Sequence, residues 1–324
     1  MSRSEVMMGV LKTHINEIAA YAGLAICIIF FTIVTPMNGE SIWSATKLAT
    51  LMSGVIVTAL MSVGAVFVYS LGNMDVSIGK QVGIYSTLIV LLGNATGSLI
   101  PGILISILIS IVIAFINGAT GEWLKIHPII PSVVFMMILM GISTITYFKI
   151  GSRNISLNSI DNSVFKSPVI MFVVLLLEVI VVTYLFNYTK YGKYAKAIGA
   201  NQISAEQNGI NIVKFKVISY IIMGICVVVA SIFQMGYTGA ASDSTGRGFE
   251  MNVMVALILG GMPLSGGMRS KVSCAIVGAL TFSLLDVGLP LVGVPTRLTF
   301  LIKAIIFLAV VLITCRKKNG TLPR

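Results

Sequence analysis

The stretch "YAKAIGANQISAEQNGINIVKFK", residues 194–216, lies between an apolar run ending near 187 and another beginning near 213. Each flanking run is long enough to cross a bilayer, which takes roughly 20 apolar residues. A polar segment between two such runs is a loop joining membrane spans, and that reading decides the fold. Within it, Asn201 suits a helix N-cap, because its side-chain oxygen satisfies an otherwise free backbone N–H. Gly209 suits the left-handed position that ends a helix, having no Cβ to clash. The residues between, "QISAEQN", form a helix too short to be stable alone in water. It needs something to rest on. Either this is a surface loop whose lysines sit near anionic headgroups, or it is a docking helix for a cytoplasmic partner.

The rest of the chain has the character of the flanks. Its 324 residues are 56% hydrophobic and 10% charged, with a mean hydropathy of +0.99. Soluble domains carry about 25% charged residues, so a soluble fold is excluded. The chain reads as an all-α polytopic membrane protein. A transmembrane β-barrel would show alternating segments of about ten residues, and none is visible. Lys and Arg outnumber Asp and Glu by 22 to 11, which in a membrane protein reflects positively charged cytoplasmic loops rather than nucleic-acid binding. Cys27, Cys226, Cys274 and Cys315 stand singly, without metal-ligand spacing, and read as packing residues. His14 and His127 are isolated, and neither suggests a metal site or catalysis.

Apolar runs place spans near 18–35, 48–70, 77–93, 99–118, 129–147, 168–187, 213–236, 250–264, 271–289 and 296–314, about ten in all. With the N-terminus inside, 15 of the 22 basic residues fall on cytoplasmic segments, Lys80 and Lys216 among them. Outer segments hold Lys47, Lys149, Arg153, Lys166, Arg247 and Arg297, while Lys303 lies within the last span. This asymmetry orients both termini to the cytoplasm. Residues 1–17 read as a cytoplasmic amphipathic helix, with Val6, Met7, Val10 and Leu11 opposite Arg3 and Lys12. The transmembrane domain covers 18–314, its longest cytoplasmic loop is 188–213, and 315–324 is a basic cytoplasmic tail. The longest outer loop is "FKIGSRNISLNSIDNSVFKS", residues 148–167, and Trp43 and Trp123 read as interfacial anchors.

An internal echo suggests two halves. "MDVSIG" opens the third span and "FEMNVM" the eighth, and these two spans run in opposite directions. That pattern implies two inverted repeats of five helices, a transporter signature with the pathway between the halves. Several polar residues are candidates for that pathway. Asp75 either caps the third span, where the helix dipole favours negative charge, or shapes a gate. Glu178 lies mid-span, where a charge costs roughly 2.5–3.5 kcal/mol; it is protonated, paired, or facing a polar cavity. Asn117 and Asn252 are uncharged groups near span ends, suited to a hydroxylated solute. Asp286 and Lys303 fall at similar depth and can pair. The glycines of "GGMPLSGGMRS" make a tight turn, a closely packed joint, or both. Outside, Lys149, Arg153, Lys166 and Arg247 either meet acidic residues of a docking protein or are ordinary loop charges.

Three motifs carry a family resemblance. "YAKAIGANQISAEQNGINIVKFKVISY" resembles the cytoplasmic coupling segment of ABC-importer permeases of the ribose, galactoside and autoinducer-2 branch, with its "AIGGN" core. "LGNMDVSIGK" is similar to that family's "GGIDLSVGS", keeping Asp75, Ser77 and Gly79. "LILGGMPLSGGMRS" is similar to "VIGGTSLSGGRGS", keeping Gly260, Gly261, Leu264, Ser265, Gly266, Gly267 and Ser270. The motifs fall in family order and span nearly the whole chain. Ala200, Asn73 and Asn252 depart from the family's usual Gly, Gly and Asp, and "HPIIPSVVF" departs from "PPFIATLG".

The resemblance implies a type II importer fold, like that of vitamin B12 permeases, in a bacterial cytoplasmic (inner) membrane. It also implies a second permease subunit (identical or paralogous), a cytoplasmic ABC ATPase dimer and an extracytoplasmic sugar-binding protein. Asn201, Ile203, Ser204, Glu206, Gln207 and Gly209 would then couple the chain to the ATPase, and Asp75, Ser77, Asn117, Glu178 and Asn252 would belong to the pathway or gate. No G-x-x-x-x-G-K-[ST] occurs, so ATP and Mg are expected on the partner and the chain itself is no enzyme. The implied cargo is a neutral small sugar resembling ribose, galactose or autoinducer-2, since a path with few fixed charges suits an uncharged solute. Two alternatives are a nucleoside importer and an ion-coupled carrier using Glu178 and Asp75.

Overall fold

A computed structural model describes residues 3–37, 39, 41–158 and 160–314. The described chain is almost wholly helical. In order it comprises α1 (Arg3–Met37), α2 (Ala45–Ser70), α3 (Ile78–Thr96), α4 (Ile100–Trp123), α5 (Ile129–Ile150), β1 (Asn154–Ser156), α6 (Ser163–Lys166) and α7 (Pro168–Tyr188). There follow α8 (Lys190–Ala200), α9 (Gln202–Gln207), α10 (Ile212–Thr238), β2 (Ala240–Ser242), α11 (Phe249–Leu259), α12 (Ser273–Leu291) and α13 (Thr296–Thr314). Seven of these helices contain a stretch long and apolar enough to cross a membrane: 18–37 of α1, and α2, α4, α5, α7, α10 and α12. The protein is therefore a multi-pass membrane protein. α1 runs unbroken from the expected amphipathic segment into the first span; the basic tail 315–324 lies outside the described residues.

α2 is the central post. It is apolar all round, and from Val55 onward every residue is buried, as expected of a helix surrounded by others. α10, α7 and α12 pack around it. Small residues permit the closest approaches, since without water between helices packing is decided by how near two backbones come. A Cβ on Gly64 of α2 would sit 2.5 Å from Cβ of Cys226 on α10. One on Gly118 of α4 would sit 2.8 Å from Cα of Val217 on α10. A second apolar cluster joins α1, α2, α11 and α12 around Phe31, Leu51 and Phe282.

Two connections break the helical pattern at the centre. Residues 71–77 between α2 and α3 are non-helical, and Gly72 there has φ +77°. Residues 243–248 lead into α11, which has 11 residues and spans about 16 Å at 1.5 Å per residue, half a bilayer core. The second break packs against the start of α3: a Cβ on Gly246 would lie 1.9 Å from the Gly79 carbonyl oxygen, and one on Gly83 would lie 2.6 Å from that of Thr245. Only hydrogen fits at either place.

The described part of the loop 148–167 carries β1. β1 pairs antiparallel with β2, Ile155 opposite Ala241. Asn94 at the end of α3 donates to the Ser156 carbonyl at 2.8 Å and accepts from the Asn158 N–H at 3.0 Å. The two strands and the helix α8 were not anticipated from the sequence.

Candidate translocation pathway and coupling surface

Asp75 sits in the first break, 4% exposed. Its Oδ1 accepts from the backbone N–H of Ser77 at 2.7 Å and from the Ser77 hydroxyl at 2.6 Å. Gln81 Nε2 donates to Oδ2 at 3.3 Å and to Ser77 Oγ at 2.8 Å. Asn117 of α4 reaches the same pair, at 3.5 Å to Asp75 Oδ2 and 3.3 Å to Ser77 Oγ. The carboxylate thus holds the start of α3 and ties it to α4, closer to the capping reading than to a free gate charge. The structure brings Asp75, Ser77 and Asn117 together and adds Gln81 and, through the Tyr85 hydroxyl at 3.2 Å from Gln81 Oε1, a second layer. Sequence reasoning passed over Gln81, although it lies four residues beyond Ser77 on the same helix face.

Lys80 corrects the cytoplasmic charge count. It is buried where the second break packs against α3, and its Nζ donates to the Asp243 carbonyl at 3.0 Å. A lysine at the start of a span reads as a loop charge only when that span starts at the membrane surface; here α3 starts inside the protein.

The other pathway candidates lie apart. Asn252 lines a cavity of about 110 Å³ with Ser53, Thr58, Gln234 and Asp286. Asp286 pairs with Lys303 at 2.6 Å, and the lysine also lies over the rings of Phe282 and Phe300. Glu178 faces an apolar groove between α7 and α10, lined by Val174, Val182, Ile222 and Cys226. Its polar neighbour there is the Cys226 thiol, and neither carboxyl oxygen meets an N–H or O–H donor among the described residues.

Beside β1 and β2, a cavity of about 700 Å³ is lined by Thr144, Tyr147, Ser152, Arg153, Asp243 and Arg247, among others. It is linked to the start of α3, because Asp243 forms part of its wall and the Asp243 backbone holds Lys80. Ser143 donates to Asp243 Oδ1 at 2.9 Å, and the Tyr147 hydroxyl lies 2.9 Å from that of Thr87. Arg153 and Arg247 share this mouth, whereas Lys149 in the last turn of α5 and Lys166 in α6 do not line it.

Asn201 caps α9 as expected, its side chain accepting from the Ser204 N–H at 2.9 Å. Gly209 has φ +77° and open space around it. Ala205 faces inward, while Ile203 is 70% exposed and Ser204, Glu206 and Gln207 also point outward. α8 lies against the end of α2: a Cβ on Gly199 would fall 1.9 Å from the Ser70 carbonyl oxygen and 2.8 Å from Gly267 N. The Gly267 N–H in turn donates to Ser70 at 2.8 Å. The glycine motif therefore does both things expected of it. Gly261, Gly266 and Gly267 take positive φ, and a Cβ on Gly266 would fall 2.4 Å from Gly72 N and 2.5 Å from the Ser70 carbonyl oxygen.

Comparison with known proteins decides what these sites belong to. A family model described as "Branched-chain amino acid transport system / permease component" matches residues 47–311. The chain belongs to this permease family. The ribose import permease of Escherichia coli (strain K12) is 26% identical over 327 residues, covering 95% of this chain and 96% of the relative. The galactose/methyl galactoside import permease of the same organism is 26% identical over 325 residues, covering 93% and 94%. The autoinducer 2 import system permease of Yersinia pseudotuberculosis serotype O:3 is 25% identical over 265 residues, covering 80% and 74%. No solved structure matches the chain. The permease is thus a transport subunit, and the ribose, galactoside and autoinducer-2 branch named from its motifs is its branch.

Proposed function

We propose that this permease is the membrane subunit of an ATP-driven importer that passes a neutral small sugar, of the ribose, galactose or autoinducer-2 kind, received from an extracytoplasmic binding protein. The observation that carries the reading is the broken connection 243–248, packed against the start of α3 and joined through Asp243 to the cavity of about 700 Å³. A path there is lined by backbone and by hydroxyl and amide groups. Its one buried carboxylate, Asp75, is fully engaged by Ser77, Gln81 and Asn117. Lys80 nearby donates to the Asp243 carbonyl, and hydroxyl-rich solutes are served by such neutral donors and acceptors. An ion-coupled carrier is not favoured, because Glu178 and Asp75 occupy separate places.

The finer architecture belongs to the same proposal. The seven long apolar helices, with α3, α11 and α13, make ten spans in two inverted repeats of five, in the type II arrangement with both ends cytoplasmic. The short α11 supports this, since a half-span behind a broken connection mirrors the break before α3. A second permease copy or paralogue completes the membrane unit, and the exposed face of α9 seats in a groove of the ATPase dimer that binds ATP and Mg. The test is uptake of radiolabelled ribose and galactose into vesicles holding the purified permease with the ATPase and binding protein that accompany it from native membranes. Uptake that requires both ATP and the binding protein is expected. Uptake under an ion gradient alone, without an ATPase, would overturn the reading in favour of a carrier.

A further inference from the structure

The end of α4, the start of α9 and the second turn of α10 converge on one closed polar triangle. Lys216 Nζ of α10 forms a salt bridge with Glu122 Oε1 of α4 and donates to Gln202 Oε1 of α9 at 3.1 Å. Gln202 Nε2 closes the ring on Glu122 Oε2 at 2.9 Å. The lysine side chain is 4% exposed and the glutamate 22%, so the pair is shielded from the screening that makes surface ion pairs weak.

Helix stability does not account for this arrangement. Glu122 stands in the last turn of α4, where the helix dipole favours a cation. Each helix would be served at least as well by the opposite charge, so the value of the pair lies between the elements. α9 otherwise has little hold on the membrane core, with Ala205 its one buried residue. Beyond the triangle the contacts continue inward. Gly118, one turn before Glu122, lies against Val217, the neighbour of Lys216, closely enough that no side chain fits. Asn117 beside it bonds to Asp75 and Ser77 at the head of α3.

We propose that Glu122 and Lys216 are positioning residues that latch the cytoplasmic helix α9, through Gln202, to the packed pair α4 and α10. Displacement of α9 by its partner thereby shifts α4 and α10 as a unit and reaches the Asp75 cluster. The inference rests on the importer reading above and adds to it the route by which the loop moves the spans.

The experiment uses the full assembly in proteoliposomes and reads labelled sugar taken up per ATP hydrolysed. Glu122→Gln and Lys216→Gln are each expected to keep the ATPase bound yet lose about tenfold in that ratio, the size of an ordinary coupling free energy. The exchanged pair, E122K with K216E, restores the bridge with the α4 charge on the end its dipole prefers, and is expected to recover most of the loss. A merely structural role would lower protein yield and leave the ratio alone. Where a single variant does not reach the membrane, the exchanged pair carries the test by itself. A ratio near that of the unaltered protein supports the latch, and a lost ratio in well-folded protein overturns it. Single variants with an unchanged ratio would also overturn the latch while leaving the importer reading intact. An unaltered protein that gathers no ATPase would overturn that reading and the latch with it.

Discussion

Asp75 accepts hydrogen bonds from Ser77, Gln81 and Asn117 at once, so its value lies in being an acceptor at both oxygens. Asn at this position presents an amide donor to groups that are already donors. Leaving buried polar groups without partners costs about 1–3 kcal/mol, so Asp75→Asn is expected to lower the thermal midpoint of the detergent-solubilised permease by several degrees. An unchanged midpoint would show that the cluster does not hold α3. Gly246 is a sharper case, having φ +78° and the Gly79 carbonyl in the place of a Cβ. Gly246→Ala should insert normally and fail to transport, since the connection 243–248 can no longer lie against α3; uptake equal to the parent protein would refute this. Asp75, Ser77 and Asn117 were legible because polar residues at the edges of apolar runs stand out. Lys80 was misread because the inside-positive rule treats every lysine at a span end as solvated. Gln81 was missed because a single amide inside an apolar run has a dozen harmless explanations until its neighbour across the helix is known.

At the scale of elements, the apolar helices were legible because a span announces itself by length and composition alone. What escaped were the pieces that depend on partners. α8 contains two glycines and three lysines and reads as loop; it is helical because Ala195 and Ile198 are buried against the core and Gly199 fits under Ser70. β1 and β2, three residues each, exist only as a pair. α9 was legible to the residue at its cap, because capping is a local interaction. Asn201→Ala removes that cap and should cost about 1 kcal/mol of local stability, visible as faster amide exchange over residues 202–207. Gly209→Val forces a β-branched residue into a left-handed conformation, and Glu206→Lys inverts a charge on the exposed face. Both variants are expected to reach the membrane and to uncouple ATP hydrolysis from uptake. Normal coupling in both would mean that α9 is an ordinary surface loop.

Taken whole, the molecule sets two of its four proposed outer basic residues at the cavity beside β1 and β2. There Arg153 and Arg247 share the cavity mouth, while Asp243 holds its place in the wall through Ser143. The four outer basic candidates thus divide into two that line the entrance and two, Lys149 and Lys166, that do not. A protein delivering solute to this entrance meets the arginines first, and paired exposed charges contribute up to about 1 kcal/mol each. Replacing both arginines by Ala should therefore weaken binding-protein docking by roughly five- to tenfold at low salt. The difference should shrink near physiological salt, where the screening length falls to about 8 Å. Replacing Lys149 and Lys166 together should change docking little at any salt. Titration of labelled binding protein onto permease in nanodiscs, at two ionic strengths, separates the cases. If the arginine variant binds as the parent does at low salt, the entrance charges have no part in docking; if the lysine variant weakens as much, attraction is spread over the outer face and the cavity mouth is not its focus.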